Sequence, residues 1–142
     1  IVNSSDILFR QKEVTLSYHP DEEPIMVWAD EYMIEEVVSN YVSNALNHVK
    51  YENKIEIKTI RKGDHVCTSV FNTGDPIPEE DMDKIWSKFY KVDKARTREN
   101  GGNGIGLSIV KAVMDAHNQK FGVKNYDNGV EFWFELDVKS VD

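Results

Sequence analysis

The stretch "DEYMIEEVVSNYVSNALNHV" (residues 30–49) carries apolar residues at Ile34, Val37, Val38, Tyr41, Val42, Ala45, Leu46 and Val49. They recur at spacings of three and four, the period of one face of an α-helix. Asp30 stands where an N-cap is needed, with a carboxylate able to accept a first-turn N–H. A helix with one broad apolar face has to bury that face against another layer. Beside the apolar stripe run Asn40, Asn44 and either Asn47 or His48, again at helical spacing. Asparagine is a mediocre helix former, so this second stripe asks for a reason. A run of solvated polar residues is the plain one. The other is chemical: a carboxamide offers its oxygen to a hard cation such as Mg²⁺ and its NH₂ to a phosphate.

Working outward, "EVTLSY" (13–18) and "IMVWA" (25–29) read as strands around a turn carrying Pro20 and Pro24. "KIEIKTI" (54–60) and "HVCTSVF" (65–71) alternate as half-buried strands do, and "RKGD" joins them as a hairpin. "PEEDMDKIW" (78–86) predicts a short helix, with proline and acids in its first turn. "IGLSIVKAVMDAHN" (105–118) predicts a second long helix, and Asn118 can close it in a left-handed conformation. "KFGVKNY" (120–126) and "VEFWFELDV" (130–138) predict a last hairpin around "DNG". Hairpins combined with strand–helix alternation imply an α/β sandwich. The expected form is a mixed, mainly antiparallel sheet with three helices packed on one face.

The chain has 142 residues, 40% of them apolar and 30% charged, as expected for one globular domain. No apolar run approaches the roughly 20 residues that span a bilayer, and the start at Ile1 reads as that of an excised fragment. Cys67 is the sole cysteine, so no internal disulfide forms, and a reducing compartment fits. Its place in a strand reads as that of a small core residue. The net charge of −8 argues against a nucleic-acid partner. Within this acidic chain "KFYKVDKARTR" (88–98) is basic, either as solvated surface or as a seat for an anion.

Four glycines fall within the six residues "GGNGIG" (101–106), directly before the second helix. No Gly-Lys-Ser/Thr follows, so this is not a Walker A loop, and Leu107 stands where the dinucleotide fingerprint needs its third glycine. Gly102, Gly104 and Gly106 let bare backbone approach a ligand closely. The helix start adds unpaired N–H groups and about half a positive charge. Together these suit a polyphosphate. The region from about 91 to 103 has no periodicity and reads as a mobile loop.

In order, the chain presents "NYVSNALNH" (40–48), "NTGDPIP" (72–78), "KIWSKFYKVDKAR" (84–96) and "GGNGIGLSIVK" (101–111). This series resembles the N, G1, F and G2 boxes of the catalytic and ATP-binding domain of sensor histidine kinases, within the gyrase, Hsp90, histidine kinase and MutL superfamily. The likeness covers about residues 12 to 138, and "FNTG" with "KFYKVDKAR" is most similar to the vancomycin-resistance type of sensor. It implies a Bergerat-type fold, residues 1–12 as a linker from an absent dimerisation domain, and residues 91–103 as the ATP lid.

The resemblance also implies roles. Asn44 matches the Mg²⁺ ligand that bridges the ATP phosphates, and Asn40 a phosphate-side contact. Asn47 and His48 match residues lining the nucleotide pocket. Lys91 matches a basic residue reaching the phosphates, with Tyr90 at the same mouth; Asn40 and Lys91 form the catalytic pair. Arg96 and Arg98 lie in the lid. Gly102, Asn103, Gly104, Ile105 and Gly106 form the G2 turn, Leu107 begins its helix, and Gly74 and Ile77 belong to the G1 turn. Asn72 replaces the usual Asp that accepts from the adenine amino group, and a neutral acceptor is weaker than a charged one. Pro76 replaces a later G1 glycine, Val130 the usual small hydroxyl residue, and His117-Asn118 the usual His-Gly.

Hydrolytic members place a Glu one turn before the metal Asn; here that position is Asn40. This favours phosphoryl transfer, which asks chiefly for positioning and charge neutralisation. His19, His48, His65 and His117 do not sit in the family's phosphoacceptor setting, so the acceptor is expected outside the chain. The implied cofactors are ATP and Mg²⁺. The implied partners are the parent's own dimerisation domain and a response regulator. The parent is expected to be a membrane-anchored homodimer, and this fragment its monomeric cytoplasmic part. A degenerate nucleotide-binding module and a chaperone- or topoisomerase-type ATPase are the alternatives.

Overall fold

The computed structural model describes residues 15–19, 30–88 and 106–138. The expected strand at 25–29, the linker at 1–12 and the lid at 91–103 lie outside these. The elements are β1 (Thr15–His19), α1 (Glu31–His48), β2 (Lys54–Lys62), β3 (His65–Thr73), α2 (Gly106–Ala116), β4 (Phe121–Tyr126) and β5 (Gly129–Asp137). One five-stranded sheet results, ordered β1-β2-β3-β5-β4. The β1–β2 pair is parallel, as a connection through a helix allows; every other pair is antiparallel.

Local chemistry sets the boundaries. The Asp30 carboxylate accepts the Met33 N–H at 3.0 Å and starts α1. The Val49 N–H still reaches the Ala45 carbonyl at 2.8 Å before the chain turns extended. Tyr51 and Asn53 then adopt left-handed φ values of 64° and 53° to carry it into β2. Gly63, at φ 63°, makes the two-residue hairpin turn that pairs Lys62 with His65. At the end of α2, Asn118 has φ 53°, its N–H bonds to the Asp115 carbonyl and that of Gln119 to the Met114 carbonyl. This is the Schellman closure its side chain tolerates.

Both helices lie on one face of the sheet. Val37, Tyr41, Val42, Ala45 and Leu46 of α1 meet Val110 and Met114 of α2. Beneath them lie Ile55 and Ile57 of β2, Val70 of β3, and Val130, Phe132, Phe134 and Leu136 of β5. Tyr41 is fully buried; its ring tilts against Phe132 and Phe134, and its hydroxyl donates to the Trp133 carbonyl at 3.0 Å. Burial pushes this phenol far above the ordinary tyrosine range.

The third expected helix is corrected. Among the described residues, 78–86 forms two single 3₁₀ turns, Glu79–Asp81 and Lys84–Trp86, rather than an α-helix. The proline and acids do start a turn, but only Met82, Ile85 and Trp86 offer apolar contacts. That is too little for an α-helical stripe, and 3₁₀ geometry suits such short pieces. Ile85 is buried, and Trp86 packs edge-on against Phe121 and Phe132.

The helices run antiparallel, as contacts at two levels establish. The Asp30 N–H at the start of α1 donates to Nε2 of His117, just past the end of α2, at 3.1 Å. Gly106, which starts α2, abuts Asn40. The last two turns of α1 therefore reach beyond the start of α2.

Candidate nucleotide-binding site

A Cβ built on Gly106 would stand 2.9 Å from Asn40 Oδ1, closer than side chains tolerate. The Asn40 carboxamide is held by its own Nδ2, which donates to the Glu36 carbonyl at 2.8 Å. The first residue of the glycine-rich helix and the first asparagine of the polar stripe are thus in direct apposition. Asn44 follows one turn along α1, about 6 Å further on at 1.5 Å per residue. It is half-buried, and among the described residues its carboxamide has no hydrogen-bond partner. Asn47 and His48 are half-buried another turn along, at the end of the helix.

Beyond His48 the chain meets residues 72–77. Gly74 adopts φ 153°, and a Cβ there would lie 2.8 Å from the His48 carbonyl oxygen. Backbone cannot yield as a flexible side chain can, so only glycine fits against the end of α1. Asn72 is 3% exposed; its Nδ2 donates to the Thr73 carbonyl at 3.1 Å. That bond fixes the amide's orientation and leaves Oδ1 as an acceptor without a partner among the described residues. Asn72 pairs across the sheet with Val130, itself buried. The two departures from the G1 and last-strand patterns are direct cross-strand neighbours.

A set of bonds fixes this end. The Thr73 hydroxyl donates to the Lys50 carbonyl at 2.9 Å and accepts the Lys54 N–H at 3.0 Å. The Gly74 N–H donates to the Asn128 carbonyl at 3.0 Å. Asp75 accepts from Lys50 Nζ at 2.7 Å and from the Tyr51 hydroxyl. Ile77 is bonded on both sides by Asn125: its N–H donates to Oδ1 at 2.9 Å, and its carbonyl accepts from Nδ2 at 2.8 Å. Asn125, Thr73 and the Lys50–Asp75–Tyr51 group were not among the sequence candidates. One signal was present: in "FGVKNY" the alternation Phe121, Val123, Asn125 puts a polar residue on the inward parity of β4.

The structure thus brings Asn40, Asn44, Asn47, His48, Asn72, Gly74, Ile77, Gly106 and Leu107 to one end of the α1–α2 layer, with Leu107 packed against the core. Tyr90, Lys91, Arg96, Arg98, Gly102, Asn103, Gly104 and Ile105 lie outside the described residues. Among the described residues no group of three or more His, Cys, Asp or Glu side chains could hold a metal ion. No described helix is long and apolar enough to cross a membrane.

Known proteins share this arrangement. Residues 29–140 match the family described as "Histidine kinase-, DNA gyrase B-, and HSP90-like ATPase". The sensor protein VanSB of Enterococcus faecalis is 31% identical over 111 residues, which are 78% of this chain and 25% of that protein. The sensor protein kinase WalK of Staphylococcus haemolyticus is 30% identical over 92% of this chain and 22% of its own length. Sensors of different kinds thus match at similar identity, and this chain spans a quarter or less of each. Among solved structures, the nucleotide-free catalytic domain of histidine kinase ThkA superposes with a TM-score of 0.80 at 33% identity, covering 96% of this chain and 89% of that one. The match of sequence and fold over most of its length shows that this chain belongs to the histidine kinase-, DNA gyrase B- and HSP90-like ATPase family, as a catalytic ATP-binding domain of the sensor histidine kinase kind.

Proposed function

We propose that this domain binds Mg-ATP along the outer turns of α1 and presents the γ-phosphoryl group to a histidine that lies outside the chain. The observation that carries the reading is the apposition of Gly106 and Asn40, which sets the start of a glycine-preceded helix against the asparagine stripe. It orients the ligand. The phosphates belong at the Asn40–Gly106 end, where N–H groups at the helix start favour anions. The base belongs at the Asn72–Gly74 end, where Oδ1 of Asn72 accepts from an exocyclic amine.

The Asn44 oxygen fits Mg²⁺, a hard cation that keeps several waters and takes substrate phosphates as ligands. Bound there, the ion would screen charge on the phosphates. Asn40 replaces a water-activating acid, and its amide is engaged with the Glu36 carbonyl, which favours transfer over hydrolysis. Lys91, Arg96 and the glycines at 102–104 complete the phosphate surroundings in this reading, residues 91–103 acting as a lid.

The acceptor histidine is assigned to a dimerisation domain of the parent, and the phosphate then passes to a response regulator. The structure of histidine kinase ThkA in complex with the response regulator protein TrrA, 33% identical over 97% of this chain, supports a response regulator as partner. We place the domain on the cytoplasmic side of a membrane-anchored parent, a reading that the free thiol of Cys67 suits.

Calorimetric titration with Mg-ATP, a phosphate-release assay and phosphorylation of a longer chain with the preceding helices test the proposal together. Binding, negligible turnover and a labelled histidine are expected. Rapid turnover would point to an ATPase, and no binding to a degenerate module.

A further inference from the structure

We infer that Asn125 is a positioning residue for nucleotide recognition, acting through Ile77; the inference rests on the reading of the site given above. Asn125 lies on β4, at one edge of the sheet, far in sequence from the residues it serves. Its carboxamide closes a two-point clasp on a single residue, accepting the Ile77 N–H at 2.9 Å and donating to the Ile77 carbonyl at 2.8 Å. The same Nδ2 lies 3.7 Å from Met82 Sδ, a weak contact with the first 3₁₀ turn. An unpaired carboxamide on the inner parity of a strand would be costly, and a hydroxyl could satisfy only part of the pair. The residue type and its place therefore fit one task, holding the 74–77 segment over β4.

Gly74 is tied to Asn128 through backbone, and the exposed Asp75 is held by Lys50 and Tyr51, contacts that water weakens. Pro76 has no N–H to donate. Ile77 is where the segment re-enters the core, so releasing it frees the turn that follows Asn72 and whose Gly74 seats against α1. A nucleotide would then have to order that turn on binding, which weakens affinity without altering any group it touches.

Titration calorimetry of the whole chain with Mg-ATP and with ADP, well below the melting temperature, tests this. Asn125→Ala is expected to weaken both nucleotides by about tenfold, the equivalent of one to two lost hydrogen bonds, with stoichiometry still one. Asn125→Asp keeps the acceptor for the Ile77 N–H and should recover part of the affinity; it carries the test if the alanine variant does not fold. Val123→Ala, on the same face of β4, should lower the melting temperature but leave affinity within about twofold. Unchanged affinity in both Asn125 variants, or an equal loss in Val123→Ala, overturns the inference while the site reading stands. Absence of nucleotide binding by the unaltered chain overturns both.

Discussion

Gly106 opens the second helix with its Cα against the side chain of Asn40, so close that a methyl group would meet Oδ1 at 2.9 Å. Replacement by alanine improves helix propensity by up to about 1 kcal/mol but forces the Asn40 carboxamide out of its bond to Glu36. Gly106→Ala is therefore expected to melt within a few degrees of the unaltered chain while binding Mg-ATP about tenfold more weakly. Thermal melts and calorimetry on one preparation check it; equal affinity in the two proteins would refute the assigned phosphate end.

Asn44 is expected to act through the metal. Asn44→Ala should abolish most of the gain in ATP affinity that Mg²⁺ brings, yet change metal-free ADP binding by less than about twofold. Titrations with and without a chelator separate the two. A loss that is the same with and without Mg²⁺ would assign Asn44 to packing instead.

Asn72 and Val130 invite a double exchange. Asn72→Asp removes the donor to the Thr73 carbonyl and puts a carboxylate at a position 3% exposed, beside an apolar neighbour. A cost of about 1–3 kcal/mol in folding is expected. Val130→Thr supplies a hydroxyl across the same strand pair. The two changes together should cost less than their sum, with a coupling of about 0.5 kcal/mol or more in urea melts.

Tyr41 carries a prediction about alkali. Its phenol is neutral in the folded protein well above the ordinary range, whereas in the unfolded chain it ionises near pH 10. The raised folded value means that this group's contribution to stability is complete below about pH 10 and declines as pH rises further. Tyr41→Phe should flatten that decline in urea melts at successive pH values. At neutral pH it should cost about 1 kcal/mol through the lost bond to Trp133. A decline of equal slope in both proteins would mean that another group governs alkaline unfolding.

What the sequence made legible was local or periodic. The Asp30 cap, the three-four stripe of α1, the Gly63 hairpin and the Asn118 closure each depend on residues within one or two turns of each other. The 3₁₀ turns at 79–86 escaped because proline and acids announce a helix start of any kind, while the absence of a continuing apolar face is a weaker signal. The Asn125–Ile77 clasp spans 48 residues, and the His117–Asp30 bond spans 87. No spacing rule reaches such distances. The Asn72–Val130 pairing needed the register, which two turn lengths and a core together set. The glycine and asparagine candidates were legible as types, but their apposition depended on how far α1 outreaches α2.

The bond from the Asp30 N–H to His117 has a mechanical consequence. Asp30 donates to Nε2, so that nitrogen must be unprotonated, and Nδ1 faces the Val113 carbonyl at 2.9 Å, so it bears the hydrogen. This bond pins the start of α1 to the end of α2; further along, the apolar residues of the two helices pack together and Asn40 meets Gly106. Sliding one helix lengthwise along the other would break the pin. The pin therefore fixes how far α1 outreaches α2, and with it the level at which Asn40 faces Gly106.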